Sequence, residues 1–202
     1  LDKDDEVIRP AMLWCDQRTQ KQCDLLTEQA GGLEKLLSYT NNQMLTGYTG
    51  GKILWLRDEE PAHYERVRKV LLPKDYIRFV LTGEYATDVA DASGTLLFNV
   101  KERCWHRDLM SALGIDADWM PSAYEGPQVT GYLTAEASDI TGLPKGIPVV
   151  AGGGDQAANG VGCGIVRRGV VSASLGTSGV VFAHADQVST DPEGRLHTFC
   201  HA

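Results

Sequence analysis

From Pro148 to Ala151 the chain is apolar, Gly152, Gly153 and Gly154 follow at once, and Asp155, Gln156, Ala157 and Ala158 open a run of small residues. This order predicts a buried strand, a sharp turn and a helix over Asp155 to Cys163. A strand that hands over to a helix within three residues belongs to a layered α/β architecture. The neighbourhood is unusual for the chain. Of 22 glycines, 11 fall between Gly142 and Gly179. Backbone can therefore come close to a ligand here, because no side chain stands in the way.

The rest of the pattern agrees with α/β. Ala11-Met12-Leu13-Trp14 reads as a short buried strand, with Asp16 placed to cap a helix over Gln17 to Ala30 that Gly31-Gly32 stops. Lys52 to Glu60 predicts a second helix, and Ala62 to Lys69 a charged segment. Val70-Leu71-Leu72 reads as a strand, and Pro73 as the first position of a helix through Val80 that Thr82-Gly83 closes. Asp88 to Thr95 reads as a loop, Arg107 to Leu113 and Ala135 to Thr141 as helices ended by Gly114 and Gly142, and Val129 to Leu133 as a strand. Val170 to Leu175 and Gly179 to Ala183 predict two strands around a tight turn.

Composition narrows the function. With 43% hydrophobic and 23% charged residues the chain is globular rather than disordered. A net charge of −8 with no basic block argues against nucleic acid and anionic membranes as partners. No apolar run reaches the ~18 residues of a membrane span. Cys15, Cys23, Cys104, Cys163 and Cys200 are odd in number and scattered, which predicts reduced thiols in a cytoplasmic protein. His197, Cys200 and His201 lack zinc-module spacing, so no metal is expected there. Leu1 is not an initiator Met, the charged start is no signal peptide, and the stretch His197 to Ala202 reads as a strand cut in mid-course. These ends predict a segment of a longer protein.

Four constellations could carry chemistry. Gly152-x-Gly154-x-x-Ala157 fits a dinucleotide fingerprint, yet Asp155 inside the turn would repel a pyrophosphate. The ribose-binding acid due about 20 residues later is missing, since no Asp or Glu occurs from Gly169 to Ala185. A carboxylate at this strand-turn-helix is better suited to taking a proton. Asp155 is thus a candidate general base or else an N-cap, and Gln156 beside it could bind a polyhydroxy substrate. Ser174 to Gly179 places two hydroxyls between glycines, either a phosphate-holding turn or a plain hairpin. Gly47 to Glu59 is a glycine-rich opening to a helix with Lys52 at its start. Trp14 beside Asp16 could stack on and hydrogen-bond a sugar, or Trp14 could be core.

Taken together these segments resemble the FGGY carbohydrate kinase family. Gly47 to Glu59 matches the family's first signature. Leu71-Leu72-Pro73-Lys74-Asp75-Tyr76-Ile77-Arg78, Leu81 to Glu84 and Asp91 to Thr95 are similar to its next segment. Gly152 to Ala158 resembles its catalytic-base motif, Ser174 to Gly179 its second phosphate loop, and Trp14-x-Asp16-x-Arg18 fits as well. The order is the family's, and the similarity is greatest to its pentulose kinases.

The resemblance implies an actin-like, ribonuclease-H-like ATPase fold, here incomplete. Residues 1–166 would form the latter part of the sugar-binding domain and 167–202 the beginning of the ATP-binding domain. It implies ATP and Mg2+, with Asp155 as general base and Asp155, Gln156, Trp14 and Asp16 facing the sugar. Gly176 and Thr177 would clasp phosphates. Other family substrates, such as ribulose, glycerol or gluconate, and a non-catalytic sugar-binding remnant are the alternatives, and the resemblance leaves room for a homodimer. The family's Asp-x-Gly-Thr phosphate loop, the Met-His-Gly sugar contact of its pentulose members and its adenosine pocket have no match in these residues, so the chain alone is expected to be inactive.

Overall fold

Helices α1 (Gln20–Gln29), α2 (Leu33–Thr40) and α3 (Thr49–Glu59) bury their apolar residues against one another. The structure is a computed structural model, and it describes residues 1–176 and 179–202. Cys23 and Leu26 of α1, Leu36 of α2, and Ile53 and Leu54 of α3 are buried together with Leu96, Leu97, Leu109, Met110, Leu113 and Ile115. Fully burying a Leu contributes roughly 1.5–3 kcal/mol, so this cluster is the principal source of stability. Its closeness depends on Gly51. A Cβ there would lie 2.9 Å from Cys23 Sγ and 3.2 Å from Thr19 Oγ1, so only glycine lets α1 and α3 approach this far.

The chain continues through a single turn, α4 (Pro61–Tyr64), to α5 (Pro73–Thr82), which Gly83 closes in the left-handed region. Strand β1 (Ala86–Asp88) leads directly into α6 (Val89–Ser93). A tight antiparallel pair, β2 (Phe98–Asn99) and β3 (Cys104–Trp105), precedes α7 (Arg107–Ala112). Strand β4 (Ser122–Tyr124) then returns parallel to β1, the crossover being the intervening helices and hairpin. Strand β5 (Val129–Tyr132) pairs antiparallel with β6 (Pro148–Val150), with α8 (Ala135–Thr141) between them in sequence. Helix α9 (Asp155–Gly162) follows β6, and the hairpin β7 (Val171–Leu175) and β8 (Gly179–Ala183) follows α9.

Buried Arg78 ties α5 to the strands. Its guanidinium donates to the Ala86 carbonyl at 2.6 Å, to the Glu84 carbonyl at 3.0 Å and to Thr130 Oγ1 at 2.9 Å. The last residues run back onto the helical part. Asn42 and Thr198 exchange two hydrogen bonds at 2.7 and 2.8 Å, and the Cys200 amide donates to Ser93 Oγ at 3.1 Å. Cys200 is buried against Val89, Phe98 and Val100. All five cysteines are unpaired thiols.

Several local expectations fail for identifiable reasons. Ala11–Trp14 is irregular and largely exposed, since no strand among the described residues pairs with it. Asp16 does not cap α1, whose cap position is Thr19; its carboxylate is held by Arg18 instead. Val70–Leu72 forms no strand. Strand β6 exists but is half-exposed, because only β5 and no second layer covers it. Asp88 to Thr95 contains a helix rather than a loop, because the Asp88 carboxylate caps it by accepting from the Ala90 and Asp91 amides at 2.9 and 3.0 Å.

Candidate active site

The turn between β6 and α9 has the geometry its sequence requires. Gly152 sits at φ +90°, where a side chain would be strained. A Cβ on Gly154 would come within 2.6 Å of Asp91 Oδ1, and one on Gly126 within 2.6 Å of the Gly152 carbonyl oxygen. These glycines permit close packing of turn against helix.

Asp155 is the first residue of α9, and Gly154 occupies the cap position. The alternative of Asp155 as a capping residue is therefore not what is observed. Its side chain is exposed, with Oδ1 accepting from the Gln156 amide at 2.8 Å. Asp155 is thus accessible at the first turn of a helix, directly behind a glycine turn. Gln156, half-buried, adjoins it.

Beneath the turn lies a group that the sequence reading quoted but gave no role. Lys74, at the start of α5, extends its ammonium to Asp75 Oδ1 at 2.6 Å, Asp88 Oδ2 at 2.8 Å and Asp91 Oδ2 at 3.6 Å. It also donates to the Ala151 carbonyl at 3.3 Å, immediately before the glycine turn. Burial alone would lower the Lys74 ammonium, but Asp75 and Asp88 outweigh it and raise it. Burial pushes the Asp75 carboxyl up. Asp91 is pushed up to about 6, chiefly by burial and then by the nearby Asp88 charge, with Lys74 opposing both. The signal available in the sequence was the Lys74-Asp75 pair behind a helix-opening Pro73, with Asp88 and Asp91 further along the chain.

The remaining candidates are dispersed. Trp14 is 65% exposed, and Lys52 Nζ donates to the neighbouring Leu13 carbonyl at 3.0 Å. Asp16 pairs with Arg18 at 2.8 Å, which holds its carboxyl below the usual range, and Arg18 lies over the Trp55 ring. These contacts do not include Asp155 or Gln156. Gly50 and Gly51 lie inside α3 and serve helix packing. Gly176 is an exposed bend after β7, and Thr177 lies outside the described residues. Phe182 of β8 packs on α9, where a Cβ at Gly160 would be 2.7 Å from its ring.

Among the described residues no helix is long and apolar enough to cross a membrane, and no three His, Cys, Asp or Glu side chains are placed to hold a metal ion.

Comparison with known proteins shows the family and the fold. Residues 1–162 match the N-terminal domain of the FGGY family of carbohydrate kinases. The xylulose kinases of Klebsiella pneumoniae and Escherichia coli K12 are each 43% identical over 202 residues, which is the whole of this chain and 41% of theirs. The crystal structure of xylulose kinase from Rhodospirillum rubrum superposes with a TM-score of 0.93 at 30% identity, again over the whole chain and 41% of that structure. The chain therefore spans about two-fifths of the length of these relatives, and its fold is the corresponding part of the actin-like ATPase fold.

Proposed function

The chain belongs to the FGGY family of carbohydrate kinases, and on that premise we propose that the whole protein transfers the γ-phosphate of ATP to a pentulose, D-xylulose giving D-xylulose 5-phosphate. The xylulose kinases at 43% identity support the choice of sugar. The observation that carries the chemistry is Asp155, exposed and fixed at the start of α9 behind a glycine turn. As the terminal hydroxyl of the sugar attacks the γ-phosphorus, Asp155 takes its proton. Gln156 and, on the separate 13–18 turn, Trp14 and Asp16 bind the sugar, while Gly176 and Thr177 contact phosphate. Residues 1–166 belong to the sugar-binding domain and 167–202 open the ATP-binding domain, in a cytoplasmic enzyme.

Positioning and charge stabilisation supply most of the rate in phosphoryl transfer. The described residues do not fit Mg2+: the three carboxylates that approach one another, Asp75, Asp88 and Asp91, already surround the Lys74 ammonium, and no other set is placed to hold a metal ion. The 202-residue chain alone is accordingly inactive.

The test is Asp155→Asn in the whole protein, assayed on a panel of sugars. Asn keeps the size and most hydrogen bonding but takes no proton. The turnover number on D-xylulose should fall at least roughly a hundredfold while the sugar dissociation constant stays within about twofold. Near-normal turnover would remove Asp155 from the mechanism, and preference for ribulose, glycerol or gluconate would reassign the substrate.

A further inference from the structure

The glycine turn that presents Asp155 rests on side chains from two distant parts of the chain. Lys74 and Asp75 open α5, and Asp88 and Asp91 open α6. Asp75 and Asp88 are fully buried, and Lys74 and Asp91 largely so. The turn meets the group at one hydrogen bond and approaches it closely at two glycines. The Ala151 carbonyl accepts from Lys74 Nζ. The Lys74 stem lies 3.6 Å from where a Gly152 Cβ would be, and Asp91 Oδ1 lies 2.6 Å from where a Gly154 Cβ would be. Asp155 itself makes no contact with the group.

We infer that Lys74 is a positioning residue for Asp155: its ammonium gathers the carboxylates of Asp75, Asp88 and Asp91 and the Ala151 carbonyl at one point, and so fixes the turn from which Asp155 projects. The inference rests on the kinase reading for its consequence, not for its geometry. Without the ammonium three aspartates would face one another unscreened, the Ala151 carbonyl would lose its donor, and the floor under Gly152 would open. A displacement of about 1 Å at a reacting group is enough to cost on the order of a hundredfold in rate.

Removing Lys74 alone also strands buried charge, which would unfold the protein for an unrelated reason. The informative comparison is Lys74→Met/Asp91→Asn against Asp91→Asn alone, in the whole protein. Relative to the single variant, the double variant should lose about ten- to a hundredfold in kcat with the sugar KM within about twofold. Its amides from Gly152 to Asp155 should exchange hydrogen faster, while those of α3 are unchanged. Equal kcat, or a loss that only follows the unfolded fraction, overturns the inference.

Lys74→Arg provides the second variant should the double one not fold. It keeps the charge, but its planar head cannot occupy a point shared by four oxygens. kcat should fall several-fold at an unchanged unfolding temperature, and full activity would overturn the inference. If the unaltered protein phosphorylates no sugar, the kinase reading fails, and the exchange measurement alone decides: faster exchange confined to 152–155 supports the role of Lys74 and unchanged exchange refutes it.

Discussion

The helical part around α1, α2, α3 and α7 and the strand-and-turn part from β5 to β8 use the same residue types to opposite ends. In the first, Leu26, Leu36, Leu54, Leu96, Leu97 and Leu113 are at or below 2% exposure and glycine brings helices together. In the second, Val150, Val161, Val171 and Val181 are 44–77% exposed, and glycine bends the chain at Gly152. The first part is held by apolar burial, and the second by hydrogen bonds, an ion-pair group and its attachment to the first. Stability and chemistry are thereby separated in space, which leaves the Asp155 turn free to be polar and closely approached.

The comparison can be broken most forcefully in the helical part. Leu54→Ala removes a fully buried side chain at a seam that cannot collapse. It should lower the unfolding free energy by about 2–5 kcal/mol, read as a shift of the urea midpoint at constant slope. A loss under 1 kcal/mol would show that the cluster is not the main source of stability.

Asp91 sharpens the comparison with a smaller effect whose sign depends on pH. Its carboxyl is pushed up to about 6 in the folded protein from the ordinary aspartate value of 3.8. The folded state therefore binds the proton more tightly than the unfolded state, and this group's contribution to stability is favourable below pH 4 and lost as pH rises through 6. Asp91→Asn should stabilise the protein by up to about 2 kcal/mol at pH 7 and by little at pH 3. Parallel thermal unfolding of the two proteins across that range checks it. A gap that is constant with pH would remove Asp91 from the titration.

The smallest effect belongs to the surface of the strand-and-turn part. Ile140 on α8 is 75% exposed. Ile140→Gln should change the stability of the 202-residue chain by no more than about 0.5 kcal/mol. A larger loss would reveal apolar contact on that face.

The sequence made legible whatever was decided locally. Pro73 and Gly83 bound α5, Gly142 stops α8, and the run from Val149 to Ala158 gives strand, turn and helix, because each signal acts within a few residues. What it concealed depended on partners far along the chain. The apolar stretch Ala11–Trp14 looks like a strand, but without a neighbour to pair with it remains irregular. Helix α2 is masked in the sequence because Gly31 and Gly32 signal a helix stop, although Gly32 is also the cap position of the next helix. The Lys74 group was invisible for the same reason. Its members are separated by as many as 77 residues, and only the packing of α5, α6 and β6 shows that they meet. Asp155, by contrast, stood out through its immediate neighbours.

The return of residues 198–200 onto Asn42 and Ser93 sets an order of events during synthesis. These contacts join positions 156 and 107 apart. A nascent chain emerging at the ribosome can assemble α1, α2 and α3 early, from neighbours already made. Ser93 and Val89, which flank Asp91, wait for Cys200 to appear. Closing so long a loop costs little more than closing a shorter one, about 0.6 kcal/mol for each doubling, but it delays the event, and non-local contacts fold slowly. The packing around Ser93 and Val89 is consequently finished late, after the helical scaffold exists. A ribosome stalled before residue 198 would hold a folded helical region with that packing unfinished.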